Sequence, residues 1–334
     1  MGESDEGRSM LVLSEDEIRH STTMAEAVDA VEAAFAALVR GEARLPDVIY
    51  LDLQEFNGEV HVKGAHLRGA PYYVFKVASG FYDNPAKGLP VGAGMVMAFE
   101  AATGKPAALL LDNGYLTDLR TGAAGAVAAR HLARPSLSKL ALVGAGLEAR
   151  FQLRGIREVR ELPPVAVWSR TEARARGFAE EMGDELGAEV EVAGSLEEAV
   201  RDSDLVITAT PARAPLLDGS WLAEGACVVA IGSDGPEKRE LDAEVFRRAG
   251  RVVCDVIEQC LRKGELHHAV DDGVADPAEA VELGDVILGR AAGRGREDPI
   301  TVCDLTGTGV QDAAAAALAL DGARRLGMGR ELEA

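Results

Sequence analysis

Residues 140–149 read LALVGAGLEA. An apolar run enters Gly144-Ala145-Gly146 and leaves through Leu147-Glu148-Ala149, which is the spacing GxGxxA. Between a strand and a helix, that spacing binds a dinucleotide. The first glycine makes the tight turn, and the second lets a pyrophosphate approach the backbone. The helix N-terminus adds N–H groups and a positive dipole end. Alone, the same letters also describe an ordinary glycine-rich turn. The next apolar run, VAVW, ends in Ser169-Arg170-Thr171. An NAD site usually carries an acid there for the ribose 2′-OH. A guanidinium with two hydroxyls suits a 2′-phosphate instead. The expected cofactor is therefore NAD(P), with NADP favoured; the alternative is that Arg170 stacks beside the adenine of NAD. Thr210, past the run DLVITA, joins Gly144, Gly146, Ala149, Ser169, Arg170 and Thr171 as a cofactor-side candidate.

A second constellation is VVAIGSDGPEKREL, residues 228–241. Its apolar run stops at Gly232 and places Asp234 before Gly235-Pro236. Asp, Gly and Pro are also the common turn residues, so a surface turn is the competing reading. Lys238, four residues on, either keeps Asp234 ionised by proximity or faces solvent. Arg120 falls at the third position of a helix that Thr117 is expected to cap. A cation there opposes the helix dipole, yet beside free N–H groups it can clamp an anion. His267-His268 with Asp271-Asp272 is expected to be a solvated loop and not a metal site, because adjacent histidines splay apart. No metal is expected, and no serine or cysteine nucleophile arrangement is readable.

Stepping from these residues to the chain that must hold them, 334 residues suffice for two domains or one large α/β unit. Hydrophobic residues make up 47% and aromatics 4%, so Ala, Val and Leu must fill the core. A net charge of −20 argues against nucleic acid or an anionic membrane as partner. The acidic N-terminus shows no signal-type apolar stretch, and no run approaches a membrane span. The four cysteines form no CxxC pair, as expected of free thiols in a reducing cytoplasm.

Residues 21–40 have helical apolar spacing, with Ser21 or Thr22 as cap and Gly41 as stop. Short β-type runs follow at 48–53, 59–67 and 72–79, then two strands joined across Ala102-Thr103-Gly104. This first part reads as an α+β domain on a mostly antiparallel sheet. From Thr117 the character changes. A long Ala-rich helix, 117–134, precedes alternating strands and helices, which imply a parallel sheet covered on both faces. QDAAAAALALDGARRLG is a final Ala-rich helix. The fold class expected is α/β: a Rossmann-type parallel sheet domain over 117–309, plus an α+β, mostly antiparallel domain built from 1–116 with 310–334.

The stretches KGLP, TGKPAALLLDNGYLTDLRTGAAGAVAARHLAR, VGAGLEARFQL, GSDGPEKREL and DLTGTGVQDAAAA resemble the ornithine cyclodeaminase/mu-crystallin family, over nearly the whole chain. The match looks closest to its ectoine-utilisation cyclodeaminase-like and iminosuccinate-reducing branch. The resemblance implies a homodimer joined through the antiparallel sheet domain, with a nicotinamide facing a cleft. It implies that Arg120 and Lys76 meet a substrate carboxylate, that Arg44 is a further anion contact, and that Asp234 is the catalytic aspartate. Lys63 departs from the family pattern: counted back from Lys76, it stands where ornithine-specific members place a glutamate for the distal ammonium. A lysine there repels a diamino acid and attracts a second carboxylate. The expected activity is NAD(P)H-dependent reduction of a small 2-imino acid, or amino-acid dehydrogenation, with iminosuccinate to aspartate as best fit. Ornithine cyclodeamination and non-catalytic, mu-crystallin-like binding are the alternatives.

Overall fold

The computed structural model describes residues 9–294 and 299–333. They divide into two compact units, one within 1–120 and 308–334 and the other within 121–307.

The first unit is an eight-stranded sheet. Its order runs Arg330–Glu333, Ser9–Ser14, Pro106–Leu111, Gly92–Glu100, Tyr72–Phe81, Gly58–Leu67 and Ala43–Arg44, with Ile49–Leu53 also on Gly58–Leu67. All pairs are antiparallel except Ser9–Ser14 with Pro106–Leu111. Successive residues of a strand point to opposite faces. On one face Lys63 stands directly across from Lys76, and both are buried. On the other, the register lines up Ile49, Val62, Val77 and Met95, of which Ile49 is 63% exposed and Met95 39%.

Helix Gly309–Leu326 packs on helix Met24–Val39 and on strands Gly58–Leu67 and Tyr72–Phe81. Its alanines bring its backbone close to its neighbours. At Gly309 the approach is close enough to require glycine, since a Cβ there would sit 2.1 Å from the Gly64 carbonyl oxygen. That contact sets the helix's first turn beside the lysine-bearing strands.

Two helix starts differ from expectation. Residues 15–21 form a helix of their own, capped by Ser14 and Glu17 in a reciprocal capping box. Ser21 and Thr22 therefore end that helix, both donating to the Ile18 carbonyl, and Thr23 caps the next one by accepting from the Glu26 N–H. Likewise Thr117 lies inside a helix, Tyr115–Leu132. The Asp112 carboxylate takes the capping role by accepting from the Leu116 N–H at 2.8 Å. Arg120 is thus a turn deeper in its helix than the spacing suggested.

The second unit carries an eight-stranded sheet, all of whose pairs are parallel. Its order is Val190–Val192, Val165–Trp168, Leu140–Val143, Leu205–Thr208, Cys227–Ala230, Ile300–Asp304, Ala249–Cys254 and Val281–Glu282. The central strands are buried along their whole length, as parallel strands covered by helices must be. The strand order reverses direction at Leu140–Val143 and Leu205–Thr208, and the carboxyl edge at such a switch point is where these sheets bind ligands. Among the described residues no helix is long and apolar enough to cross a membrane.

Candidate functional site

In the second unit, Gly144 follows strand Leu140–Val143 with φ +116°, a conformation that side chains rarely adopt. A Cβ there would also sit 2.6 Å from the Ala209 carbonyl oxygen. Gly146 is the N-cap of helix Leu147–Val159, and a Cβ on it would meet nothing within 4 Å. One glycine is thus needed for the turn, and the other leaves open space beside helix N–H groups. Ala149 is fully buried where helix meets sheet. This cradle fits a dinucleotide pyrophosphate. Arg150 fixes the turn by donating to the carbonyls of Ala145 and Gly146 while paired with Glu181. At the end of the neighbouring strand Arg170 and Thr171 are exposed and Ser169 is half-buried.

Asp234 lies just past strand Cys227–Ala230, at the carboxyl edge of the sheet. Lys238 donates to its Oδ1 at 2.6 Å. The lysine side chain is 6% exposed and the aspartate 36%, so the cation is buried behind an acid that remains open. Of the two readings of Lys238, solvent-facing and acid-pairing, the geometry selects the second.

The Asp234 loop is anchored by residues that sequence reasoning missed. The buried Glu240 accepts from Gly232 N–H (2.8 Å), Thr208 Oγ1 (2.7 Å), and both N–H and Oγ1 of Thr210 (2.7 and 2.8 Å). One carboxylate therefore ties the cofactor-side candidate Thr210 to the base of the Asp234 loop. Glu265 in turn accepts from the backbone N–H groups of Glu240 and Leu241. Burial pushes both carboxyls above their usual range, Glu265 further because Glu240 and Asp304 add repulsion. The sequence signal for this was slight, an acid between Arg239 and Leu241 in KREL.

His267 and His268 lie on helix Glu265–Asp271, where a solvated loop was expected. Their rings are spent on carbonyls: His267 Nδ1 lies 2.6 Å from Gly264 O, and His268 Nε2 2.9 Å from Lys238 O. Cys254, Cys260 and Asp304 offer metal-type donor atoms within 4.8 Å of one another, all buried. Three donors without access do not complete a closed site, which takes four. Burial pushes the Cys260 thiol well up and Asp304 up to about 7, which suits neutral, hydrogen-bonded groups.

The first unit holds a cluster of buried cations around one acid. Lys76 Nζ donates to Asp312 Oδ1 at 2.8 Å, and Arg120 Nε donates to the same oxygen at 3.0 Å. Arg120 Nη1 donates to Gln311 Oε1 at 2.8 Å. Lys63, Lys76, Arg120, Gln311 and Asp312 are all buried. Burial pushes the Asp312 carboxyl up, but Lys76, Arg120 and Lys63 together hold it below its usual range. Burial and the nearby guanidinium pull the Lys76 ammonium down. Asp312 and Gln311 were not singled out from sequence; the available signal was an acid in the first turn of an Ala-rich helix directly after DLTGTG. Arg44 is not brought to this group: it is exposed on strand Ala43–Arg44, in register with His66.

Residues 8–325 match the ornithine cyclodeaminase/mu-crystallin family profile. The chain belongs to that family. An uncharacterized cyclodeaminase of Sinorhizobium fredii is 42% identical, over 97% of this chain and 99% of the relative. Two solved structures superpose closely. Delta(1)-pyrroline-2-carboxylate reductase of Thermococcus litoralis, in complex with NADH and L-proline, gives a TM-score of 0.92 at 33% identity, covering 97% of this chain and 100% of that one. Iminosuccinate reductase of Paracoccus denitrificans, in complex with NAD⁺, gives 0.90 at 30% identity, covering 98% and 100%. Both share the Rossmann-type α/β fold of this family member.

Proposed function

We propose that this family member is an NAD(P)H-dependent reductase of a small 2-imino acid, with iminosuccinate to aspartate as the reaction that fits best. The coarse level is common to the named reductases it superposes on: it is an NAD(P)-dependent oxidoreductase acting on C–N bonds. The observation that carries the substrate assignment is the register pair of Lys63 and Lys76 on one buried face. Like charges directly opposite each other destabilise a sheet. A substrate with two carboxylates brings counter-charge to this face, whereas a diamino acid adds one more cation to Lys63, Lys76 and Arg120.

Arg120 and Lys76 hold the substrate's 1-carboxylate and Lys63 the side-chain carboxylate. An imine accepts hydride well only in its protonated form. The open carboxylate of Asp234, paired through Oδ1 with Lys238, stabilises that cation and relays its proton. Gly144, Gly146 and Ala149 seat the dinucleotide, which when bound supplies the hydride for carbon 2. Exposed Arg170, with Ser169 and Thr171, supports NADP over NAD. The apolar sheet face of Ile49, Val62, Val77 and Met95 is the surface we assign to a homodimer. Four free, buried cysteines suit a cytoplasmic setting.

A cyclodeaminase is the second reading, favoured by the name of the 42% identical relative. Purified protein offered oxaloacetate with ammonia, pyruvate with ammonia, or ornithine separates the cases. Reductase activity consumes NAD(P)H and is fastest with oxaloacetate. Proline formed from ornithine without net cofactor change would replace this reading with the cyclodeaminase. Cofactor binding with no turnover would leave a binding protein.

A further inference from the structure

One oxygen of Asp312 serves two cations. Oδ1 accepts from both Lys76 Nζ and Arg120 Nε, while buried Oδ2 accepts no hydrogen bond. The guanidinium is held a second time by the neighbouring residue, through Gln311 Oε1 on Nη1. Both holders sit in the first turn of helix Gly309–Leu326, whose backbone presses against Gly64. The backbone that carries the acid is therefore fixed, and both cations hold its Oδ1 in place. It is an internal anion fixed on the two cations that the proposed reaction uses for an external one.

We propose that Asp312 is a positioning residue, the resident counter-anion of the substrate-carboxylate clamp. Without substrate it compensates Lys76 and Arg120. With substrate it turns their remaining N–H groups toward the incoming carboxylate. The two roles have opposite signs in binding. As a rival anion Asp312 weakens attraction for substrate, and as a fixed acceptor it sets the alignment on which turnover depends. This rests on the imine-reductase reading for the identity of the anion.

The test is Asp312→Asn, which keeps shape and removes charge. With oxaloacetate, ammonia and NAD(P)H, kcat falls about ten- to a hundredfold, the scale of a misplaced reactant, while KM does not rise. Without any reaction, succinate added as a dicarboxylate probe raises the melting temperature of Asp312→Asn more than that of wild type, since ligand stabilisation follows affinity. A raised KM with kcat retained, or equal succinate shifts in both proteins, overturns the proposal. Should the asparagine variant not fold, Asp312→Glu keeps the charge but moves it by one methylene; kcat falls with KM within about twofold, and a wild-type kcat overturns the proposal. A wild type inert toward every 2-oxo acid would sink the reductase reading, while the succinate comparison still decides the role of Asp312.

Discussion

Asp304 and Asp312 are both buried, and they have opposite fates. Asp304 ends a strand of the parallel sheet, and Asp312 opens the helix laid on the antiparallel one. Burial raises a carboxyl's pKa in either place. Asp304 is pushed up to about 7: the Leu266 N–H that donates to it does not offset burial and the repulsion of Asp255. Asp312 has Lys76, Arg120 and Lys63, which hold it below its usual range. Burial alone thus does not mark a site in this protein; the sign of the neighbours does. An acid pushed up toward neutral pH and bonded to backbone N–H groups is structural. An acid held ionised among cations is the pattern we assign to an anion clamp. Asp234 is a third case, open on one side and backed by a buried lysine, as the role we propose for it, meeting an iminium from outside, requires.

That third case supplies the largest expected effect. Asp234→Asn keeps the loop and removes the charge, so kcat should fall roughly 10²- to 10⁴-fold, the share of a positioned acid–base group. Cofactor affinity, read by fluorescence titration, should be intact. A variant near the wild-type rate would return SDGP to a surface turn and leave the contrast between the two regions without its catalytic half.

The cation-rich region is tested at Lys63. If it meets a side-chain carboxylate, truncation leaves that charge desolvated and unpaired, at about 2–5 kcal/mol. Lys63→Ala should then depress kcat/KM for iminosuccinate by roughly 30- to 4,000-fold. An imino acid with an apolar side chain should be barely affected, and Lys63→Glu should admit diamino substrates. Equal losses on all substrates would mean that Lys63 does not read the side chain.

Much of this arrangement was legible in the sequence, and the remainder has a common cause. The parallel sheet follows from strands alternating with helices, and the cofactor turn from glycines at one spacing, all local signals. What escaped depends on distant partners. Strand Ser9–Ser14 pairs Met10 with Leu332 across almost the whole chain, and its short polar partner RELE has no strand pattern of its own. Asp312 lies 236 residues from Lys76 and 192 from Arg120, so no spacing rule joins them. Glu240 reads as one more surface acid until Thr208, Thr210 and Gly232 are seen to converge on it. The misplaced caps are different: several adjacent Ser, Thr and Asp residues could cap, and tertiary packing chose among them.

Stability against pH sharpens the contrast between the two aspartates. The Asp304 carboxyl ordinarily titrates near 3.8 and here titrates at about 7, so between those values the folded protein keeps a proton that the unfolded chain has released. Its contribution is complete below the lower value and is lost as pH rises through the upper one. The slope is about 1.4 kcal/mol per pH unit for one proton. Urea unfolding at pH 5 and pH 8 should show lower stability at pH 8, and Asp304→Asn should flatten that difference. Glu240 and Glu265, raised in the same direction, keep the variant from being fully flat. A variant as pH-sensitive as wild type would mean that Asp304 does not hold the proton.

The smallest effect concerns a cation without the burial of Lys63, Lys76 or Arg120. Arg170 is exposed at the end of strand Val165–Trp168, where an acid would have suited an NAD ribose. If it meets a 2′-phosphate, it does so in water, where a single ion pair contributes modestly. NADPH should bind more tightly than NADH, and Arg170→Ala should weaken NADPH by only about two- to fivefold, the range of an exposed pair. NADH should be unchanged. The difference should also shrink as salt rises, because exposed pairs are screened and buried ones much less so. The same salt series applied to succinate binding is the control: a clamp of buried cations should respond less steeply than Arg170. If wild type binds NADH as tightly as NADPH, the SRT turn does not select the cofactor. If Arg170→Ala weakens both cofactors alike, the side chain packs on the adenine that both share.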